Sequence, residues 1–146
     1  MTQKDKELLM KDLCARLPYG VVIRTWYGKR INIKCISVNV YTNAVELDIP
    51  EDDDTKVFID NVKPYLFPLS SMTEEQRQEF LSVAGYEVRE EDCGRHTETY
   101  YYDMVGHENT LYPNCDAIDW LNAHHFDYRG LIEKGLAIDA TGLNVY

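Results

Sequence analysis

The spacing of apolar residues changes at residues 18–20, and this change is the strongest constraint on the fold. Before it, Leu9, Leu13 and Leu17 recur every four residues with charged residues between them, which predicts an amphipathic helix over residues 2–16. The proline and glycine at the change are residues that end helices. Beyond them the apolar runs are short and β-branched, so we expect the chain to pass from one helix into a β-sheet.

The β-rich part is predicted to form a small, strongly curved sheet. A glycine lies in the turn at 27–29 between two β-branched runs, which is typical of a hairpin. In the second run the apolar residues occupy odd-numbered positions up to Ile33, whereas beyond it they occupy even-numbered ones. This change indicates a β-bulge near residues 34–35, and a bulge increases the curvature of a sheet. Residues 63–68 contain two prolines, so we expect them to cross the open end of the sheet without regular pairing. The predicted strands are 21–23, 31–40, 44–49 and 57–59.

The remainder of the chain predicts helices and a long loop. Thr73 and Gln76 have the spacing of a capping box at the start of a helix. A strand is expected at 86–89, and residues 91–113 are expected to form a long loop with one weak strand at 99–102. The predicted helices are 73–84, 116–124 and 128–134, the last with Asp127 as its N-cap and Gly135 at its end.

Together these elements predict an α+β fold. We expect a small, strongly curved antiparallel sheet or barrel, similar to an SH3-type or OB-type core, wrapped by about four helices. At 146 residues the chain has the length of one domain. The predicted single domain, residues 1–146, consists of an N-terminal helix (1–17), a β core (18–70) and a wrap of helices and loops (71–146).

Charge is distributed unevenly along the chain. No aspartate or glutamate occurs between Asp12 and Glu46, and residues 1–49 hold eight lysines and arginines against five carboxylates. Residues 50–146 hold seven against twenty. An acidic surface of this kind repels extended DNA or RNA, whereas a small anionic ligand or a basic protein partner is compatible with it.

The sequence predicts a cytoplasmic protein. No apolar run is close to the roughly 20 residues needed to cross a bilayer, so we expect no membrane association. Residues 1–6 lead into an amphipathic stretch and not into a signal sequence. In the cytoplasm the four cysteines are expected to be reduced thiols.

The basic, aromatic hairpin is the first candidate site. If residues 22–33 pair, alternation places the side chains at 24 and 26 on one face. A guanidinium group can hold a phosphate, and an indole can stack on a base. The alternative is a solvated hairpin whose tryptophan packs on a neighbouring helix. The candidate ligand-binding residues are Arg24, Trp26, Tyr27, Lys29 and Arg30.

The corner at residues 124–129 is the second candidate site. His125, Tyr128 and Arg129 are predicted to contribute to ligand binding there. An arginine in the first turn of a helix is not favoured by the helix dipole, so an acidic partner or a ligand is expected beside Arg129. The alternative is a structural corner in which these side chains satisfy buried backbone groups.

Metal binding and catalysis have weak support. Cys93 and His96 have a spacing seen in zinc sites, but His107 and Cys115 do not have the usual close spacing. We therefore predict no metal ligands and no cofactor. The sequence contains no Gly-x-Ser-x-Gly elbow, phosphate loop or His-Glu-x-x-His helix, so we do not predict an enzyme.

Four segments resemble a family of uncharacterised small proteins encoded by phages and mobile elements of gut bacteria. They are Arg-Leu-Pro-Tyr-Gly-Val at 16–21, Lys-Pro-Tyr-Leu at 63–66, Ser-Ser-Met-Thr-Glu-Glu at 70–75 and Asp-Trp-Leu-Asn-Ala-His-His-Phe-Asp-Tyr-Arg-Gly-Leu-Ile-Glu-Lys-Gly-Leu-Ala at 119–137. The resemblance covers most of the chain except about 85–115. It implies an accessory protein that acts inside a bacterial cell.

We expect a non-enzymatic protein that binds and sequesters a small anionic ligand. A nucleotide immune signal is one candidate for this ligand. The alternative is a protein–protein inhibitor or adaptor whose acidic surface faces a basic host protein. A homo-oligomer that places two shallow sites side by side is compatible with either function.

Overall fold

A computed structural model describes residues 1–25, 33–48, 55–92, 97–103 and 114–146. The helices are α1 (Gln3–Arg16), α2 (Glu74–Val83) and α3 (Cys115–Ala123). The strands are β1 (Val22–Thr25), β2 (Ile33–Asn39), β3 (Ala44–Leu47), β4 (Lys56–Phe58), β5 (Val62–Pro68), β6 (Tyr86–Asp92), β7 (Thr97–Asp103), β8 (Phe126–Asp127) and β9 (Ile138–Asp139).

The chain forms two compact units. Unit 1 consists of Met1–Ser71 and Asn122–Tyr146, and unit 2 of Met72–Leu121. In the described ranges, no helix combines the length and the apolar character needed to cross a membrane.

Unit 1 contains a mixed sheet with the strand order β4-β3-β2-β1-β5. Neighbours along this order are antiparallel, whereas β8 and β9 both pair in parallel with β5. The predicted α+β class is therefore confirmed. The predicted barrel is wrong, because the far edge of β5 is taken by β8 and β9, and β4 has no second neighbour among the described strands. The sheet stays open.

The expected bulge is confirmed. The register of β2 against β3 shifts between Cys35 and Ser37, one residue beyond the predicted position. The shift explains the change of parity, because Cys35 faces Leu47 and Val38 faces Val45, so both point to the core although they are three residues apart. Ile36, between them, is 52% exposed. An extra residue in one strand turns the side chains after it to the other face.

Residues 62–68 correct a prediction. They form the regular strand β5 and do not cross the sheet as an irregular segment. Pro64 faces Ile23 at the end of the ladder with β1, and Pro68 is the last residue of the strand. The missing N–H groups therefore fall where pairing ends, which a strand tolerates.

The predicted count of about four helices is also wrong, since the described residues contain three α-helices. Residues 128–134 form consecutive turns. The Asp127 carboxylate accepts from the N–H groups of Leu131 at 2.9 Å and Ile132 at 2.7 Å, which are further along the chain than an N-cap reaches. Gly130, inside the predicted helix, has φ of 70°, so its backbone cannot continue a right-handed helix. Gly135 has φ of 69°, and the N–H groups of Gly135 and Leu136 donate to the carbonyls of Ile132 and Leu131, so the expected glycine ending is present without the helix.

The core of unit 1 lies between α1 and the inner face of the sheet. Leu9 and Leu13 of α1 pack there, as the helical spacing predicted, and the loop at 131–137 closes one end. The buried apolar cluster consists of Leu9, Met10, Leu13, Val21, Ile23, Cys35, Val45, Leu47, Val57, Ile59, Val62, Leu66, Leu131, Leu136 and Ala137.

Unit 2 contains α2, the hairpin β6–β7 and most of α3. The predicted capping box is confirmed: the Gln76 N–H donates to the Thr73 hydroxyl, and the Thr73 N–H donates to the Gln76 side chain. The strand expected at 99–102 extends over Thr97–Asp103 and pairs along its length with β6, so this part of the expected loop is a hairpin. Phe80 and Trp120 pack with ring centroids 5.5 Å apart.

Replacing Ile23 with alanine tests the position of the core. Ile23 is fully buried between strands and helix, so Ile23→Ala is expected to lower the free energy of unfolding by roughly 2–5 kcal/mol. Urea denaturation measures the loss. The control is Ile36→Ala, which removes the same atoms from an exposed position and should change stability by less than about 0.5 kcal/mol. Equal losses would contradict the assigned faces of the sheet.

Candidate functional site

Three cations lie on the face of the sheet opposite the core. Arg24 of β1 is paired with Lys63 of β5, and Val22 is paired with Lys34 of β2. Directly opposed residues in an antiparallel pair point to the same face, and so do residues two apart in one strand. Arg24, Lys34 and Lys63 therefore share one face, with Arg24 and Lys63 half-buried.

Gly20 leaves room for the Lys34 side chain. It has φ of 75°, and a Cβ at this position would come within 2.9 Å of the Lys34 Cε atom. A larger residue would therefore be strained and would displace the lysine. The glycine that ends the first helical segment thus also positions one member of the cationic face.

The rest of the first candidate site is not placed. Trp26, Tyr27, Lys29 and Arg30 lie outside the described residues, so their proximity to Arg24 stays a prediction. The structure adds Lys63, which sequence reasoning missed. Nothing local in the sequence links Lys63 to Arg24, because only the register of β1 against β5 brings them together.

A buried carboxylate between two arginines organises the second candidate site. Asp12 and Arg16 are both 0% exposed, and the Arg16 Nε and Nη2 atoms donate to the Asp12 carboxylate at 2.8 and 3.0 Å. Arg16 Nη2 also donates to the Phe126 carbonyl at 2.8 Å. Arg129 Nε lies 3.2 Å from Asp12 Oδ1, which is an ion-pair distance, although its N–H direction does not form a hydrogen bond.

The polar groups of Tyr128 and Arg129 are directed at the protein. Arg129 Nη2 donates to the Tyr128 hydroxyl at 2.7 Å, and that hydroxyl donates to Asn122 Oδ1 at 3.0 Å. The Arg129 guanidinium also lies 4.7 Å from the centre of the Tyr128 ring. The acidic partner expected beside Arg129 is Asp12, so these contacts favour the structural interpretation of this corner.

His125 and Tyr146 form an aromatic stack beside that cluster. Their ring centroids are 3.9 Å apart with 11° between the planes. His125 is 7% exposed, and its Nδ1 atom has no hydrogen-bond partner among the described residues. Burial, with the nearby Arg16 guanidinium and His124, lowers the pKa of His125 to about 4, so the imidazole is neutral at pH 7.

Tyr146 is anchored through its hydroxyl. The hydroxyl donates to the Tyr65 carbonyl at 2.7 Å and accepts from the Val22 N–H at 3.4 Å. Burial of this hydroxyl raises the pKa of Tyr146 to about 12, while the residue as a whole is 45% exposed. Sequence reasoning missed Tyr146, since it lies far along the chain from every residue that it contacts.

The suggested zinc ligands are not brought together by the described part of the chain. Cys93, His96 and His107 lie outside it, and Cys115 is exposed at the start of α3. No cluster of three or more possible metal ligands occurs among the residues that the structure describes. Burial raises the pKa of Cys35 to about 12, so this thiol stays protonated and is a poor ligand or nucleophile.

Two clefts lie elsewhere on unit 1. One of about 360 Å³ lies on the outer face of β2, β3 and β4, beside Glu46, Lys56 and Phe58. Another of about 390 Å³ lies between α1 and the turn after β2. Neither cleft includes the cations of the β1–β5 face.

Comparisons with models of protein families, with curated proteins and with solved structures find no match to this chain.

Replacing Asp12 tests the buried charge cluster. Asp12→Asn leaves two arginines without their shared carboxylate, so we expect a loss of roughly 3–5 kcal/mol in the free energy of unfolding, measured in urea. The control is Asp60→Asn, which breaks the exposed pair with Lys6 and should cost less than about 1 kcal/mol. A small loss for Asp12→Asn would mean that the arginines do not depend on this carboxylate.

The low pKa of His125 predicts a pH dependence. Between about pH 6.5 and 4 the unfolded chain binds a proton at His125 that the folded chain does not, so the free energy of unfolding falls as the pH decreases through this window. His125→Asn removes the titrating ring and keeps a residue that tolerates the φ of 58°. Between pH 7 and 5, its urea midpoint should fall less than that of the wild type. Ile36→Ala, which removes no titratable group, is the control and should retain the wild-type slope, and parallel slopes for all three proteins would refute the assignment.

Proposed function

We propose that this chain is a non-enzymatic accessory protein of a phage or mobile element that binds and sequesters a small anionic ligand in the bacterial cytoplasm. A nucleotide immune signal is the ligand that we infer. The resemblance of segments 16–21, 63–66, 70–75 and 119–137 supports the biological setting. The cationic face supports the chemistry.

The observation that carries the proposal is the direct pairing of Arg24 with Lys63. Directly opposed side chains in an antiparallel pair lie close together, so an anion bound between these two cations would contact both. A guanidinium group beside an ammonium group suits a phosphate, which accepts several charge-assisted hydrogen bonds. Lys34 extends the same face.

The charge of the whole chain favours a small ligand over a polymer. The net charge is −10, so the cationic face is a local exception. A long nucleic acid would extend beyond it onto an acidic surface, whereas a nucleotide would not. The predicted residues Trp26, Tyr27, Lys29 and Arg30 would add positive charge and stacking surface near the end of β1.

Neutralising the cation pair tests the proposal. The double variant Arg24→Gln/Lys63→Gln should bind nucleotides at least about tenfold more weakly than the wild type, because charge-assisted hydrogen bonds are lost. Isothermal titration calorimetry with mono-, di- and cyclic dinucleotides measures the change, and added salt should weaken binding to the wild type.

The matched control is Lys4→Gln/Lys134→Gln, which makes the same change in net charge at two exposed positions. It should bind like the wild type. If both double variants lose affinity equally, binding depends on net charge and not on this face. If the wild type binds no member of the panel, the proposed function is wrong.

A protein partner is the second candidate function, because unit 1 exposes large apolar side chains at one end of β3 and β4. Tyr41 is 94% exposed and Phe58 is 65% exposed, and Phe58 lies in β4, the strand at the outer end of the described strand order, where it faces Ala44 of β3. The excess of carboxylates over residues 50–146 would favour a basic protein. A pull-down at low salt that recovers one basic host protein with the wild type, and not with Phe58→Asp, would support this alternative.

A further inference from the structure

The ring of Tyr146 occupies a slot that a ligand ring fits. His125 forms one wall, stacked at 3.9 Å, and the Phe67 ring lies 6.0 Å away at an angle of 47°. The Phe67 distance is typical of tilted aromatic packing, and the His125 contact is a close, nearly parallel stack that another flat ring could also make. Tyr146 is 45% exposed, so the slot opens to solvent on the side that the tyrosine covers.

The end of the slot offers one acceptor and one donor side by side. The register in which Ile23 faces Pro64 continues to Val22 facing Tyr65. At that position the Tyr146 hydroxyl bridges the Val22 N–H and the Tyr65 carbonyl. A heterocycle with a neighbouring donor and acceptor on its edge, as nucleobases have, can make both bonds without the tyrosine.

The wall formed by His125 is preorganised. The Phe67 N–H donates to the His125 carbonyl at 2.9 Å, which fixes this residue to β5. Its ring is neutral and buried, and Nδ1 has no partner among the described residues. The His125 wall of the slot is therefore fixed in place and carries a nitrogen that could bond a ligand. Tyr146, which stacks on this wall, belongs to an irregular segment at 140–146.

The slot lies on the same face as the cations. Phe67 has the parity of Lys63 in β5, so its ring lies on the face of Lys63 and Arg24, and Tyr146 packs against that ring. Val22 and Tyr65 are two residues from Arg24 and Lys63, which is about 7 Å along a strand. A phosphate attached to a ring in the slot would therefore lie on the face that carries the arginine and lysine side chains.

We propose that Tyr146 is an internal stand-in for a nucleobase: a nucleotide displaces its ring, places the base between His125 and Phe67, and directs its phosphate to Arg24 and Lys63. This inference rests on the proposed function for the phosphate, but the ring slot is a separate claim. Tyr146 thereby weakens binding, since each ligand must replace its stack and its hydrogen bonds.

Replacing Tyr146 with alanine tests whether its ring occupies a nucleobase site. In Tyr146→Ala we expect nucleoside monophosphates, and the corresponding uncharged nucleosides, to bind roughly ten- to a hundredfold more tightly than in the wild type. Inorganic pyrophosphate has no ring, so its affinity should not change. Titration calorimetry with these three kinds of probe on the full chain measures the differences.

Two further variants show whether the gain in affinity is specific to the loss of the Tyr146 side chain. Tyr146→Phe keeps the ring and loses only the hydroxyl bridge, so it should give an intermediate gain even if Tyr146→Ala does not fold. Tyr19→Ala removes an exposed tyrosine that belongs to neither proposed site and should give no gain. Adding His125→Asn to Tyr146→Ala should reduce nucleoside affinity and leave pyrophosphate affinity unchanged.

The outcomes separate the two proposals. If pyrophosphate and nucleotides bind through Arg24 and Lys63 but the Tyr146 variants do not change their ratio, the slot is overturned and the anion site stands. If nucleosides bind Tyr146→Ala while pyrophosphate never binds, the slot stands and the anion site is overturned. If no probe binds any variant, both proposals are wrong.

Discussion

The second candidate site depends on one fully buried carboxylate. Asp12 receives two hydrogen bonds from Arg16 and an ion-pair contact from Arg129, so a residue of α1 is tied to the segment at 126–129 that follows α3. Two arginines around one carboxylate leave an excess positive charge, which the Phe126 carbonyl and the Tyr128 ring partly offset. A buried ion pair contributes little net stability, but breaking one is costly. The cluster therefore serves mainly to specify where this segment lies.

The position of that segment determines the position of the aromatic slot. Because Arg16 holds the Phe126 carbonyl, β8 lies beside the end of β5, and the His125 carbonyl accepts from the Phe67 N–H. His125 has φ of 58°, so the chain cannot continue a right-handed helical conformation at this residue. The nearby Arg16 charge also helps to keep the imidazole neutral. The charge cluster thus fixes the segment that carries His125, and its Arg16 charge adds to the larger effect of burial in keeping the imidazole neutral.

Local patterns in the sequence predicted local structure well. The period of Leu9 and Leu13, the capping box at Thr73 and the parity change after Ile33 each depend on neighbouring residues, and each was confirmed. The sequence did not predict β5 because two prolines are unfavourable in a strand unless they fall where its pairing ends. Where the pairing ends depends on the partners, and β8 and β9 lie some sixty or more residues later in the chain. Lys63 and Tyr146 were also missed because their partners lie outside their local sequence. Asp12 and Arg16, four apart on a helix, were the one pair that spacing alone could have suggested.

The paired cations and the tyrosine bridge on the β1–β5 face have a common consequence for binding. Arg24 faces Lys63 in the ladder, and two positions along the strands the Tyr146 hydroxyl lies 3.4 Å from the Val22 nitrogen and 2.7 Å from the Tyr65 oxygen. At that position a side chain, and not a direct backbone hydrogen bond, joins β1 to β5. A ligand that carries a phosphate and a flat ring with donor and acceptor groups would contact both cations and replace the hydroxyl bridge. Binding to the folded protein alone would then stabilise it, and the position of the cations would let a protein with an acidic net charge select a small anion.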